Sequence, residues 1–180
     1  MAMRHDRGAR ERPPLDGTAL EQTALAYAGR YGTTRAKLAA YLRRKLRERG
    51  WAGNGDPPVA DLVARMAQLN YVDDRAFASA KGASLSRRGY GERRIGDALR
   101  AAGVEEDDAV DAREKARDGA WDAALRFAER RRIGPFAAAE ADRPAREKAY
   151  AAMLRAGHPG HLVRRILAAR PGEIPEPDSS

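Results

Sequence analysis

No cysteine occurs among the 180 residues. Disulfides and thiolate metal sites are therefore excluded, and a reducing, cytoplasmic setting is expected. Aromatic residues make up only 6%, and runs of β-branched residues are few, so little in the chain competes with helix. No apolar run approaches the roughly 18 residues of a membrane span, and no membrane association is expected. The opening stretch, Met1 to Pro14, is basic without an apolar h-region, so it is not expected to be a secretory signal.

Histidine is equally scarce: His5, His158 and His161. The last two are three apart, but no carboxylate follows at ligand spacing, and a cap or surface role is expected for them rather than a metal site. Asp73-Asp74 and Glu105 to Asp108 are paired acids. Both stand where helices begin, where capping and the exposed N–H groups account for them without acid–base chemistry. Gly89 and Gly91 lack a preceding strand and a Gly-Lys-Ser/Thr ending, so they do not form a phosphate cradle. No catalytic group, cofactor or small-molecule substrate is expected.

What the chain has is charge. Charged residues reach 33%, the formal net charge is +8 and the isoelectric point is near 10.2. A balance of this kind fits an anionic partner, nucleic acid or an acidic protein surface. Arginine and alanine both favour helix, and the apolar stripes recur near every 3.6 residues. Leu20, Ala24, Tyr27 and Tyr31 mark a first helix, and Leu38, Leu42 and Leu46 a second, capped by Thr33 or Thr34 and closed by Gly50. Pro57-Pro58 suits the start of a third, with Val59, Leu62, Val63, Met66 and Leu69 on its stripe. After the acidic cluster, Ala109, Val110 and Ala112 begin a helix that either continues or breaks at Gly119, through Trp121, Leu125 and Ala128 to Arg132. Asp142 and Pro144 open another with Ala149, Met153 and Leu154, and Pro159 the last, with Leu162, Val163, Ile166 and Leu167. Trp121 reads as packing at a helical stripe.

The most informative stretch runs from Leu69 to Val104. Asp73 is placed to cap a helix carrying Phe77, Ala80 and Leu85, which ends at Arg87-Arg88-Gly89. A second helix opens near Gly91, sets Ile95, Leu99 and Ala102 on one face, and stops at Gly103. Leu46-Arg-Glu-Arg-Gly50, Leu99-Arg-Ala-Ala-Gly103 and Leu154-Arg-Ala-Gly157 resemble one another, with glycines 53 and 54 positions apart. A period of that size holding three helices predicts units that leave apolar surface for a neighbour to cover. The expected architecture is all-α: three tandem three-helix repeats over 15–70, 71–118 and 119–170, forming an elongated, curved helical array. A basic arm (1–14) and a solvated tail (171–180), both disordered, are expected at the ends.

The spelling of Tyr71-Val72-Asp73-Asp74-x-x-Phe77-Ala78, followed by Gly91-x-x-Arg94-Ile95-x-x-x-Leu99-x-x-x-Gly103-Val104, resembles the central repeat of the RecX family. That family consists of bacterial regulators that bind the RecA recombinase and restrain it, and its members are built as three tandem three-helix repeats. The resemblance is close only from Leu69 to Val104. It implies a non-enzymatic protein that lies along the RecA–DNA filament, limits strand exchange, ATP turnover and filament growth, and so modulates recombinational repair and the SOS response. The chain departs from the family at Ala80-Lys81-Gly82, where a glycine inside a helix costs roughly 0.5–1 kcal/mol relative to alanine.

Candidate contact residues follow from the charge pattern. Arg35 to Arg49 holds seven cations against one Glu, Lys81 to Arg100 six against two acids, and Arg126 with Arg130, Arg131 and Arg132 a third cluster. Any one such run reads as a solvated helix face; their recurrence predicts a stripe of positive charge able to follow a phosphate backbone. Arg87 and Arg88 suit a helix C-terminus, but Arg93 and Arg94 fall in a first turn, where positive charge is mildly unfavourable. Residues placed against a local rule are candidates for function, so Arg87, Arg88, Arg93 and Arg94, with Arg100, Arg130 and Arg131, are expected to meet RecA or its DNA. A monomer with weak nonspecific DNA binding is expected. The alternative is a helix-turn-helix-like transcriptional regulator around Gly89-Tyr90-Gly91; against it, the second helix offers few Asn or Gln side chains to base edges.

Overall fold

Short polar side chains set the starts of some helices, and glycines the ends of others. The computed structural model describes residues 12–177, so His5 and most of the predicted N-terminal arm lie outside the described residues. Within that span the helices are α1 (Gly17–Arg30), α2 (Arg35–Arg49), α3 (Val59–Gln68), α4 (Asp74–Arg87), α5 (Glu92–Ala101), α6 (Glu106–Asp118), α7 (Ala120–Arg131), α8 (Arg143–Arg155) and α9 (Gly160–Ala168). A 3₁₀ turn at Gly134–Phe136 precedes α8. Among the described residues there is no strand, only an isolated bridge between Leu15 and Trp51. None of these helices is long and apolar enough to cross a membrane. The all-α expectation holds.

The capping is local chemistry. Asp16, Thr34 and Asp142 each accept a backbone N–H three residues on, from Ala19, Lys37 and Ala145 at 2.8, 3.1 and 2.8 Å. Gly50, Gly103 and Gly157, which follow α2, α5 and α8, all take positive φ (83°, 74° and 93°), a backbone state that glycine adopts without a Cβ penalty. Gly119 separates α6 from α7, and the acidic first turn of α6 holds Glu106, Asp107 and Asp108.

The chain divides into two compact units, one up to Asp73 and the other from Asp74 onward. In the first, α1, α2 and α3 enclose Leu20, Ala24, Leu38, Leu42, Val63 and Met66, with Leu15 and Val72 at its ends. The Arg49 guanidinium donates to the Pro13 carbonyl at 2.7 and 3.0 Å. In the second unit, α4, α5 and α6 share a core of small residues (Ala78, Ala109, Ala112, Ala116) around Leu85, Ile95 and Leu99. A further core joins α7, α8 and α9 through Phe127, Met153, Val163 and Ile166. Trp121 packs against this last core, under the Arg165 guanidinium. After α9, the Gly172 N–H bonds to the Pro135 carbonyl at 2.8 Å.

Several residues depart from their expected places. Leu69 was expected on the α3 stripe but is exposed, because α3 ends at Gln68 and Asn70 turns left-handed (φ 58°). The N–H groups of Tyr71 and Val72 then reach back to the Met66 carbonyl, and Val72 enters the core instead. Tyr31, also expected on a core stripe, follows the last turn of α1 in extended backbone and is 54% exposed. Val110 is exposed because Ala109, Ala112 and Ala116 occupy the inward face of α6. Gly82 reads from sequence as a weak point in α4. The fold gives it a purpose: it is buried, and a Cβ there would sit 3.3 Å from the Ala112 Cβ, so the glycine lets α4 approach α6.

These assignments separate core from surface within one helix. Leu99 is 1% exposed and Arg100, beside it, is exposed and pairs with Asp97. Leu99→Ala is expected to cost roughly 2–5 kcal/mol and Arg100→Ala less than about 0.5 kcal/mol. Equal shifts of the melting midpoint would refute the assigned faces of α5.

Candidate functional site

The α4–α5 turn is where the candidate cations gather, and its backbone is fixed by a second turn. Gly89 (φ 73°) lets the chain reverse after α4, with its N–H on the Ser86 carbonyl at 2.8 Å. The Gly91 N–H then donates to the Ala156 carbonyl at 2.9 Å, in the corner between α8 and α9. His158 Nε2 donates to the Gly89 carbonyl at 3.0 Å. The fit leaves no room for side chains on either backbone. A Cβ on Gly91 would overlap the Gly157 carbonyl, one on Gly157 would overlap the Arg94 amide, and one on Gly89 would lie 2.8 Å from the Phe127 amide. Tyr90 packs against both cores of this unit, and Phe127 meets the His158 ring edge-on at 5.5 Å.

On this seat the cations divide by role. Arg93 donates to the Leu154 carbonyl in the last turn of α8, a place where a cation satisfies a free carbonyl and faces the negative end of a helix. Arg93, in the first turn of α5 and exposed, thus has a partner within the chain. Glu92, in the same turn, binds Arg113 at 2.7 Å, and Arg113 also reaches Glu106. That paired arginine is held above its ordinary value chiefly by the hydrogen bond to Glu92.

Arg88 lies over the Tyr90 ring at 5.4 Å and Arg131 over Phe127 at 5.6 Å. Among the described residues Arg87, Arg94 and Arg130 are exposed and make no ion pair. The structure thus brings Arg87, Arg88, Arg93 and Arg94 to one turn. Contact between Gly89 and the Phe127 backbone sets the last turn of α7, with Arg130 and Arg131, beside it. Arg100 is left out, at the far end of α5 and paired with Asp97.

The motif residues are mostly structural. Ile95 and Leu99 are buried, Phe77 packs on the same core, Asp74 is buried in the first turn of α4, and Asp73 stands just before that helix. Gly91 and Gly103 serve the backbone, while Tyr71 is exposed. Sequence reasoning missed His158, expected at a cap or on the surface but 3% exposed beneath the turn. No local signal reveals a partner 69 residues away.

His158 carries a pH consequence. Its Nε2 holds the proton shared with the Gly89 carbonyl, and its Nδ1 is buried without a partner among the described residues. Burial pushes its pKa below the ordinary 6.5, against a smaller opposing effect of the Gly89 bond. The unfolded chain therefore takes up a proton first. Stability from the neutral ring is complete above about pH 6.5 and is lost as pH falls toward the depressed folded value. Melting midpoints of the parent should drop on acidification through this window more than those of His158→Phe. Equal pH profiles would count against a neutral ring beneath the turn.

No family model matches the chain. It is 29% identical over 176 residues to the regulatory protein RecX of Myxococcus xanthus (strain DK1622), spanning 92% of this chain and 93% of that one. A 68-residue stretch is 38% identical to the regulatory protein RecX of Chlorobaculum tepidum, spanning 38% of this chain and 41% of that one. The crystal structure of RecX from Lactobacillus salivarius superposes with a TM-score of 0.60 at 16% identity, over 84% of this chain and 94% of that chain. A second crystal structure, of regulatory protein RecX, gives 0.58 at 19% identity, over 83% and 72%. At those identities the two crystal structures speak for the fold, and the Myxococcus relative carries the sequence likeness along nearly the whole length. Sequence and fold point the same way: along nearly its whole length the chain is similar to regulatory proteins of the RecX family, and its fold is theirs.

Proposed function

We propose that this protein is a non-enzymatic, cytoplasmic regulator that binds the RecA–DNA filament and lowers RecA's recombinase, ATPase and coprotease activities. The observation that carries this reading is the arginine-bearing α4–α5 turn, held by backbone contacts to the α8–α9 corner so that Arg87, Arg88 and Arg94 stay exposed. A rigid, cationic projection suits an acidic protein surface or a phosphate backbone, since little side-chain and loop order remains to be gained on docking. Arg130 and Arg131 extend the patch. We further propose that the chain acts as a monomer built of three tandem three-helix repeats over 15–70, 71–118 and 119–170. Support comes from the three helix-enclosed cores and the positive-φ glycine after each of α2, α5 and α8.

The operator-binding alternative gains nothing from the geometry. The helix after the turn, α5, gives Ile95, Gly96 and Leu99 to the core and engages α6 through Glu92 and Arg113. It has no Asn or Gln to read bases.

The test is inhibition of the RecA ATPase on single-stranded DNA at fixed salt. Arg87→Glu combined with Arg94→Glu should leave the melting temperature nearly unchanged and weaken inhibition about tenfold or more, because reversal turns attraction into repulsion. Arg93→Ala should differ in kind, costing about 0.5–1.5 kcal/mol of stability through the lost bond to Leu154. A Glu double variant that folds and inhibits as well as its parent would remove the turn from the docking surface.

A further inference from the structure

The first unit carries a feature that the basic turn of the second does not use. Tyr27 and Tyr31 stand four apart at the end of α1, and Tyr41, Arg44 and Lys45 share one face of α2. The Tyr27 and Tyr41 rings stack with centroids 4.0 Å apart and planes 15° from parallel, and Tyr31 leans on Tyr27 at 5.4 Å and 51°. Arg44 and Lys45 lie 5.3 and 5.8 Å from the Tyr41 ring centre. Together they line a groove of about 810 Å³ whose charged walls are Arg30, Lys37, Arg44, Lys45 and Arg47, with no carboxylate. Glu48 pairs with Arg44 and Lys45 without lining the groove. Among the described residues Arg30 and Arg47 make no ion pair.

Core packing explains part of this arrangement only. Tyr27 and Tyr41 press against the first unit's core, but Tyr31 is not part of that packing and is more than half exposed as a residue. An acidic peptide would use the cations and have no need of the rings. A duplex would offer phosphates but keep its base faces stacked on one another. A single strand presents both charge and open π-faces, and proteins that hold it pair a cationic groove with aromatic platforms.

We propose that the α1–α2 groove binds single-stranded nucleic acid, with a base stacked on Tyr31 and phosphates along Arg30, Arg44 and Arg47. The site needs no RecA and is separate from the docking turn, so it stands or falls independently of the RecA reading.

A short fluorescein-labelled oligothymidylate, titrated with the full chain alone and followed by fluorescence anisotropy, tests this. Binding should be measurable at low salt and weaken linearly in log–log form as salt rises. Tyr31→Ala should lower affinity about tenfold, and Tyr31→Phe should restore it, since stacking needs the ring and not the hydroxyl. Arg30→Ala with Arg47→Ala should weaken binding for every sequence and reduce the salt slope by about one to two, one contact per phosphate lost. Melting curves for each variant verify folding. Absence of binding at low salt would overturn the proposal, as would full affinity in Tyr31→Ala. If an oligoglutamate competes as well as the oligonucleotide and is indifferent to Tyr31→Ala, the groove takes acidic peptides and the nucleic-acid assignment fails.

Discussion

The constraint on which the second unit depends is the contact of backbone with backbone between the Gly89–Gly91 turn and the Ala156–His158 corner. Three glycines make it possible, because a Cβ on any of them would meet main-chain atoms of the other segment or of Phe127. Main chain cannot move aside as a flexible side chain can, so the close approach selects against every larger residue at those positions. Two hydrogen bonds, from the Gly91 amide and from His158, satisfy polar groups that the approach removes from water. What the seat provides is a fixed base for arginines whose heads remain in solvent.

Arginine does several unlike jobs in this chain, and the difference lies in geometry. Arg93 satisfies the end of α8, Arg113 links α5 to α6 through Glu92 and Glu106, Arg75 of α4 binds Asp111 of α6, and Arg49 holds the Pro13 carbonyl. These are structural cations, directed at groups of the same unit. Arg87, Arg94 and Arg130 have no such assignment among the described residues and project from helix ends. A net charge of +8 is thus an incomplete description of the electrostatics. The surface available to an anionic partner is smaller than composition implies, and it is sorted by place.

How much was legible follows from sequence separation. The helices were, because their signals are local: Thr34 and Asp142 cap at three residues' reach, and Gly50, Gly103 and Gly157 stop α2, α5 and α8 where they stand in the chain. The inward positions Leu38, Leu42, Ile95, Leu99, Val163 and Ile166 followed from the 3.6 period. Tyr31 and Leu69 failed because one residue beyond a helix end the period no longer applies. The candidate site was legible only in part. Charge clustering marked the turn, but Arg93 and Leu154 are 61 residues apart, and nothing in the spelling of one mentions the other. His158 was misplaced for the same reason, as was the meaning of Gly82, whose value lies in Ala112.

The long span between the turn and its seat also bears on the order in which the molecule is made. Cores of neighbouring helices, such as that of α4, α5 and α6, draw on residues close in sequence and assemble with little loop closure. The α4–α5 turn is different: its partners Leu154, Ala156 and His158 come near the end of the chain. On a ribosome, all the arginines of that turn emerge long before the corner that holds them. A nascent chain at that stage carries the charge of the finished protein but not its shape. Until the corner is made, the turn has its arginines but not the backbone seat that fixes them.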